Sequence, residues 1–297
     1  MASKLKAKAP VKRERRRAKV LIYGKPGVGK TTFAMDFPCN YYIDSEGGAQ
    51  ENSYVEKLLA SGGVYLGPED GATDFNEVIG QFKALATEKH DYVTVIDDSI
   101  SKLFNSAISH EQTRLGDKDV YGASKKTPVA KIRELLNWVG RIDMNVVLIA
   151  HEKDEYTQVG SERQVTGSTF DCWDRLEYEL DLVLRVEKQG NKRVMRVRKS
   201  RLTEFVEGTT FPCEFAEFAE RFGASDIQGA ATVVPLVSQE NVAEIKRLVD
   251  LIHIPEDEVQ KWFTKGNATA IDEFSVEHAE KILTFLQNKF KKGTDLN

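Results

Sequence analysis

The chain has 297 residues, 41% hydrophobic and 30% charged, a globular composition that excludes a mostly disordered protein. At roughly 150 residues per domain, the length allows one large domain or a medium one with a small companion. The net charge of −4 is the sum of unlike parts: residues 1–19 hold nine Lys/Arg against one acid, a net of +8, leaving −12 on the rest.

Residues 1–18 read as a basic, mobile arm. Lys19–Tyr23 is a short apolar run ending at a glycine-rich turn and predicts a buried strand. A helix follows from Thr31 to about Asp36, stopped near Pro38. Tyr41–Asp44 is a second strand, closed by the turn Ser45-Glu46-Gly47-Gly48. Phe75–Thr87 predicts a helix and Tyr92–Asp97 a third strand. His110–Lys126 reads as a long polar loop. Val129, Ile132, Leu135, Leu136 and Val139 recur at helical spacing, so 127–141 is an amphipathic helix. Asn145–Ala150 is a fourth strand, and His151–Phe170 a second long polar loop. Loops of this length inside a compact domain are usually functional or disordered. Leu180–Val186 and Arg193–Lys199 predict a strand pair around Gln189-Gly190-Asn191. The alternation of strands and helices implies an α/β fold with a mainly parallel sheet covered on both faces.

Composition shifts near residue 224. The small-residue stretch 224–235 reads as a linker, and the apolar spacing beyond it predicts a small all-α module over 236–297, with Trp262 and Phe263 in its core. The domain reading is therefore arm 1–18, core 19–223, linker and module. Cys39, Cys172 and Cys213 form no CxxC pair and no disulfide framework, which fits a reducing cytoplasm. The longest aliphatic run, Val146–Ala150, falls far short of the roughly 20 apolar residues a membrane helix needs.

The strongest motif is Gly24-Lys25-Pro26-Gly27-Val28-Gly29-Lys30-Thr31, which fits G-x-x-x-x-G-K-[ST] between a strand and a helix. Glycines let the backbone turn successive N–H groups toward phosphate oxygens, and the following helix adds its positive end. Gly24, Pro26, Gly27, Val28, Gly29, Lys30, Thr31 and Thr32 are the expected nucleotide-binding residues. Lys30 reaches the outer phosphates and Thr31 ligates Mg²⁺. A carboxylate is needed beside that metal. Asp97 ends an apolar strand and is preferred over Asp98, which alternation sends to the other face; a turn or helix-capping role is the alternative. Glu46 follows the second strand and is the candidate base for water, with Asp44 as runner-up and a solvated turn as the alternative. His151 ends the fourth strand, where a polar side chain can sense the outer phosphate; it can also be only a strand-end histidine. Lys199 and Arg201 can act as cationic fingers on a neighbouring subunit or lie on a solvated hairpin face. Arg13, Arg15, Arg16 and Arg17 suit sequence-independent contact with a phosphate backbone. Tyr121, Lys125, Lys126, Tyr156 and Arg163 can supply stacking and charge to a single strand.

The order of these motifs resembles the RecA-type recombinase core: phosphate loop, strand–Asp44-Ser45-Glu46, strand–Asp97-Asp98-Ser99, strand–His151, then a basic hairpin. It is most similar to short phage ATP-binding proteins that act as single-strand annealing or recombination factors. The resemblance spans residues 19 to about 215. It implies a Mg²⁺-dependent, DNA-dependent ATPase that binds single-stranded DNA and forms a ring or filament with ATP between subunits. It makes Asp97 the Walker B carboxylate, Glu46 the catalytic glutamate, and Lys199 and Arg201 the residues acting across the interface. His151 stands where that family more often has glutamine. It further implies a single-strand-binding protein or another recombination factor as partner, and the cytoplasm of a phage-infected bacterium as location. The competing readings are a replicative helicase or helicase loader, and a small-molecule kinase, against which the basic arm and loops argue.

Overall fold

The computed structural model describes residues 7, 9–10, 16–48, 51–159 and 162–294. The chain runs through β1 (Lys19–Gly24), α1 (Lys30–Ala34), β2 (Asn40–Asp44), α2 (Asn52–Ala60), β3 (Val64–Leu66), α3 (Phe75–Thr87), β4 (Thr94–Asp98), α4 (Ile100–Leu115) and α5 (Lys126–Arg141). It continues through β5 (Asn145–Val159), β6 (Glu162–Phe170), β7 (Leu182–Gln189), β8 (Lys192–Ser200), β9 (Thr210–Pro212), α6 (Phe215–Phe222), α7 (Ala224–Gln228), α8 (Gln239–Ile252), α9 (Glu256–Gly266) and α10 (Val276–Thr294).

Among the described residues the strands form one sheet in the order β3-β2-β4-β5-β1-β7-β8-β9, with β6 paired to β5. The centre is parallel, from β3 to β7. The β5–β6, β7–β8 and β8–β9 pairs are antiparallel. This is the α/β architecture expected from the sequence. The central strands are apolar on both sides because both faces are covered. Leu21 and Tyr23 of β1 face α3, α4 and α5, whereas Val20 and Ile22 face α1 and α6. The parallel strands all end at one edge, where Gly24, Asp44, Asp98 and His151 lie.

Helix α3 matches its expected span, for a local reason. Asp74 caps it by accepting from Asn76 N and Glu77 N, and Val78, Ile79, Phe82, Leu85 and Ala86 bury one stripe. Both expected long loops are corrected. His110–Lys126 begins as helix, because Ser99 caps α4 and the helix runs on to Leu115, and short 3-10 turns at Gly116–Lys118 and Ala123–Lys125 lead into α5. The apolar stripe of α4 fades after Phe104, which hides the helix from a periodicity reading. His151–Phe170 is a β-hairpin: β5 continues past Ala150 and pairs with β6. Its strands are polar and largely exposed, so main-chain pairing forms it without an alternating apolar signal.

The stretch 224–235 is not a free tether. Ile227 is buried, its carbonyl accepts from Asn145 Nδ2, and Val234 N donates to Ala86 O. Beyond it, α8, α9 and α10 enclose their own apolar cluster around Ile245, Leu248, Trp262, Phe274, Ala279, Ile282 and Leu286. Lys83 and Arg141 tie this cluster to the sheet domain through Asp272, Glu273 and the Glu273 carbonyl. Among the described residues, no helix is long and apolar enough to cross a membrane.

Candidate active site

The phosphate loop joins β1 to α1. Gly24 is required because a Cβ there would lie 2.4 Å from the Val186 carbonyl oxygen, and Gly29 because its φ is +101°. Val28 is buried beneath the loop, while Pro26 and Gly27 face solvent. Lys30 curls back, its Nζ donating to Gly24 O at 3.0 Å and Lys25 O at 3.1 Å. Burial lowers its pKa, against the pull of Asp98 and Glu46.

The carboxylate facing Thr31 is Asp98. Its Oδ2 accepts from Thr31 Oγ1 at 2.6 Å and from Tyr42 OH at 2.8 Å. Burial raises its pKa, opposed by those two hydrogen bonds. Asp97 therefore does not take the role expected of it. It is fully buried, and neither carboxylate oxygen has a hydrogen-bond partner. Burial, with Asp98 next to it, pushes its carboxyl up to about 8. The reason is register: β4 extends one residue further than expected. Alternation puts Asp98 with Ile96 on the α1 face and Asp97 with Val95 on the α4 face.

Glu46 stands at the same edge. Its Oε1 accepts from Ser99 Oγ at 2.7 Å and lies 2.5 Å from His151 Nε2. Burial pushes the Glu46 carboxyl up, but the Ser99 and His151 contacts outweigh it and the net shift is downward. Asp44 instead shapes the turn, its Oδ1 accepting from Glu46 N and Gly47 N. His151 pairs in register with Gly24 and sits at the root of the β5–β6 hairpin. The structure thus gathers Lys30, Thr31, Asp98, Glu46, Ser99 and His151. Sequence reasoning missed Tyr42 and Ser99; a longer β4 would have moved the choice to Asp98.

These groups fit a Mg²⁺–nucleotide. The loop offers an open cradle, with nothing within 4 Å of a Cβ at Gly27. A hydroxyl and a buried carboxylate stand beside its lysine. Thr31 would hold the metal with Asp98 behind it, and Thr32 continues the loop into α1.

Other expected site residues lie elsewhere. Lys199 and Arg201 are at the opposite end of the sheet, since Ser200 pairs with Leu182 at the start of β7. Lys199 Nζ donates to Leu180 O, and Arg201 bonds Tyr178 O and pairs with Asp181 at 3.6 Å. Any part they play at a phosphate loop would be in trans. Arg17 is a structural residue: it grips Asp143 at 2.7 Å and donates to the Gly229 and Ala230 carbonyls. Arg16 lies over the Phe222 ring and bonds Glu204. Arg13 and Arg15 fall outside the described residues, as does the Arg163 side chain. Lys125 and Lys126 are exposed at the start of α5, near the fully exposed Tyr121.

A family model described as an AAA domain matches residues 16–204. The protein belongs to that family. The match covers the phosphate loop and every strand of the sheet except β9. Among solved structures, this AAA domain is similar to the RadB recombinase, at 20% identity and a TM-score of 0.41, over 65% of this chain and 86% of that one. No curated protein matches the chain. The matched span includes Lys30, Thr31, Asp98 and Glu46.

Proposed function

We propose that the AAA domain is a Mg²⁺-dependent ATPase that binds single-stranded DNA and promotes annealing or recombination, with ATP at subunit interfaces. The observation that carries the reading is the Glu46–His151 contact at the root of a long exposed hairpin. Lys30 and the loop N–H groups hold the phosphates, and Glu46 accepts the proton of the attacking water. Mg²⁺, when bound, draws charge from the phosphate oxygens. Ser99 and His151 fix the Glu46 oxygen. Because His151 is continuous with the hairpin, a strand held there shifts His151 and with it the base.

Exposed Tyr156 on the hairpin, and Tyr121 beside Lys125 and Lys126, offer aromatic faces and cations of the kind that hold single strands. The basic arm, Arg13 and Arg15 included, adds phosphate contact. The closeness to phage annealing factors, and the phage-infected host it implies, belong to this reading. The test is the ATPase rate with and without single-stranded DNA. Stimulation of tenfold or more is expected, and an unchanged rate refutes the DNA-coupled reading. Lys30→Ala abolishes turnover; retained hydrolysis removes the phosphate-loop assignment.

A further inference from the structure

Arg193 occupies the space beside Gly29 that a side chain would fill. Its Nη1, Cδ and Cζ lie 3.1, 3.3 and 3.4 Å from the place of a Cβ on Gly29. It stands near the start of β8, opposite Lys188 across the β7–β8 hairpin, and its carbonyl accepts from Cys213 N. Strand β7 adjoins β1, so this hairpin flanks the phosphate loop on the side away from β5, β4 and β2.

Neighbouring arginines on the hairpin are paired: Arg185 with Glu152, Arg196 with Glu187, and Arg198 with Glu155. Among the described residues the Arg193 guanidinium has no such acid. Beside it opens a cavity of about 770 Å³, lined by Lys188, Asn191, Lys192, Arg193, Cys213 and Glu214. An unneutralised guanidinium fork next to a phosphate loop is matched to phosphate oxygens, which it can meet with two parallel hydrogen bonds.

The position also says which phosphates. Asp98, Glu46 and His151, which the reading above sets beside the metal and the outermost phosphate, all lie on the β2–β4–β5 flank. A nucleotide laid across the loop with that phosphate toward them turns its nucleoside end toward β7 and β8. We propose that Arg193 binds nucleotide in cis, contacting the phosphates nearest the ribose, and that the cavity beside it seats the nucleoside. The proposal rests on the nucleotide-binding reading of the phosphate loop.

Calorimetric titration of the full chain with ADP and with a non-hydrolysable ATP analogue tests it. Arg193→Ala weakens both ligands alike, by about tenfold, the scale of one charge-assisted contact. Arg193→Lys, which keeps the charge and loses the fork, falls between. Arg198→Ala, an equal loss of charge on the same strand, stays within about twofold of wild type, the spread that a single contact would clearly exceed. Wild-type affinity in Arg193→Ala overturns the proposal. So does a loss confined to the ATP analogue, which would put Arg193 at the outer phosphate, or an equal loss in Arg198→Ala. Lys30→Ala separates the two levels. Binding lost there but intact in Arg193→Ala refutes Arg193 alone, and binding intact in Lys30→Ala refutes the phosphate-loop reading beneath it.

Discussion

Exchanging the two adjacent aspartates one at a time separates their roles. Asp98→Asn keeps the shape but removes the charge that accepts from Thr31 at 2.6 Å and Tyr42 at 2.8 Å. A hydrogen bond to a charged group contributes about 1.5–3 kcal/mol. Losing the one that orients Thr31 therefore costs about ten- to a hundredfold in kcat, at about 1.4 kcal/mol per factor of ten. The missing negative charge beside the metal position adds to that. Asp97→Asn removes no partner, because neither oxygen has one. With its carboxyl pushed up to about 8, Asp97 is mostly protonated at neutral pH, so the amide replaces a neutral group of similar shape. Its kcat is expected within about threefold of wild type, a change of under about 1 kcal/mol. The assay is steady-state ATP hydrolysis over a Mg²⁺ titration, with thermal melts to confirm that both variants fold. An inactive Asp97→Asn beside an active Asp98→Asn, both folded, would refute the assignment.

Arg17→Ala should destabilise the fold by about 1–3 kcal/mol in denaturant melts, because it leaves Asp143 with its Thr232 donors alone and takes a donor from two carbonyls; a purely DNA-binding arginine would leave stability unchanged. The same contact sets a pH dependence. Burial would raise the Asp143 pKa, but the hydrogen bonds from Arg17 and Thr232 bring it below the ordinary value. Its stabilisation is therefore present above about pH 4 and lost as pH falls through the lowered value; Arg17→Ala should flatten that acid limb. His151→Ala should abolish stimulation of hydrolysis by single-stranded DNA while the KM for ATP moves less than about threefold, the mark of lost coupling rather than lost binding; retained stimulation would remove His151 from the coupling. Burial pushes the Cys172 thiol up to about 12 and Cys213 up to about 11. Mass-spectrometric mapping of iodoacetamide labelling at pH 8 should find Cys172 silent until the protein is unfolded, and the half-buried Cys213 at the cavity only slowly modified; prompt labelling of Cys172 in the native state contradicts its burial.

The sequence by itself determined the parts whose signal is local. The phosphate loop is a contiguous motif whose glycines answer a backbone requirement. The central strands are continuous apolar runs because both faces are covered, and α3 and α5 show an unbroken buried stripe. The C-terminal helices carry the same periodicity, so Trp262 falls inward as expected. Tertiary structure decided what depends on register and on long-range partners. One further residue of β4 set Asp98 rather than Asp97 against Thr31, since neighbouring side chains on a strand face opposite ways. A hairpin paired through its main chain replaced an expected loop. Arg17 changed from a candidate DNA contact to a structural clamp because its acid, Asp143, lies 126 positions away. Lys199 and Arg201 read as cations poised for a phosphate, until an antiparallel return carried them to the far end of the sheet and left Arg193 beside the loop. Charge and composition are written along the chain, but which charge meets which partner is fixed only when the sheet closes.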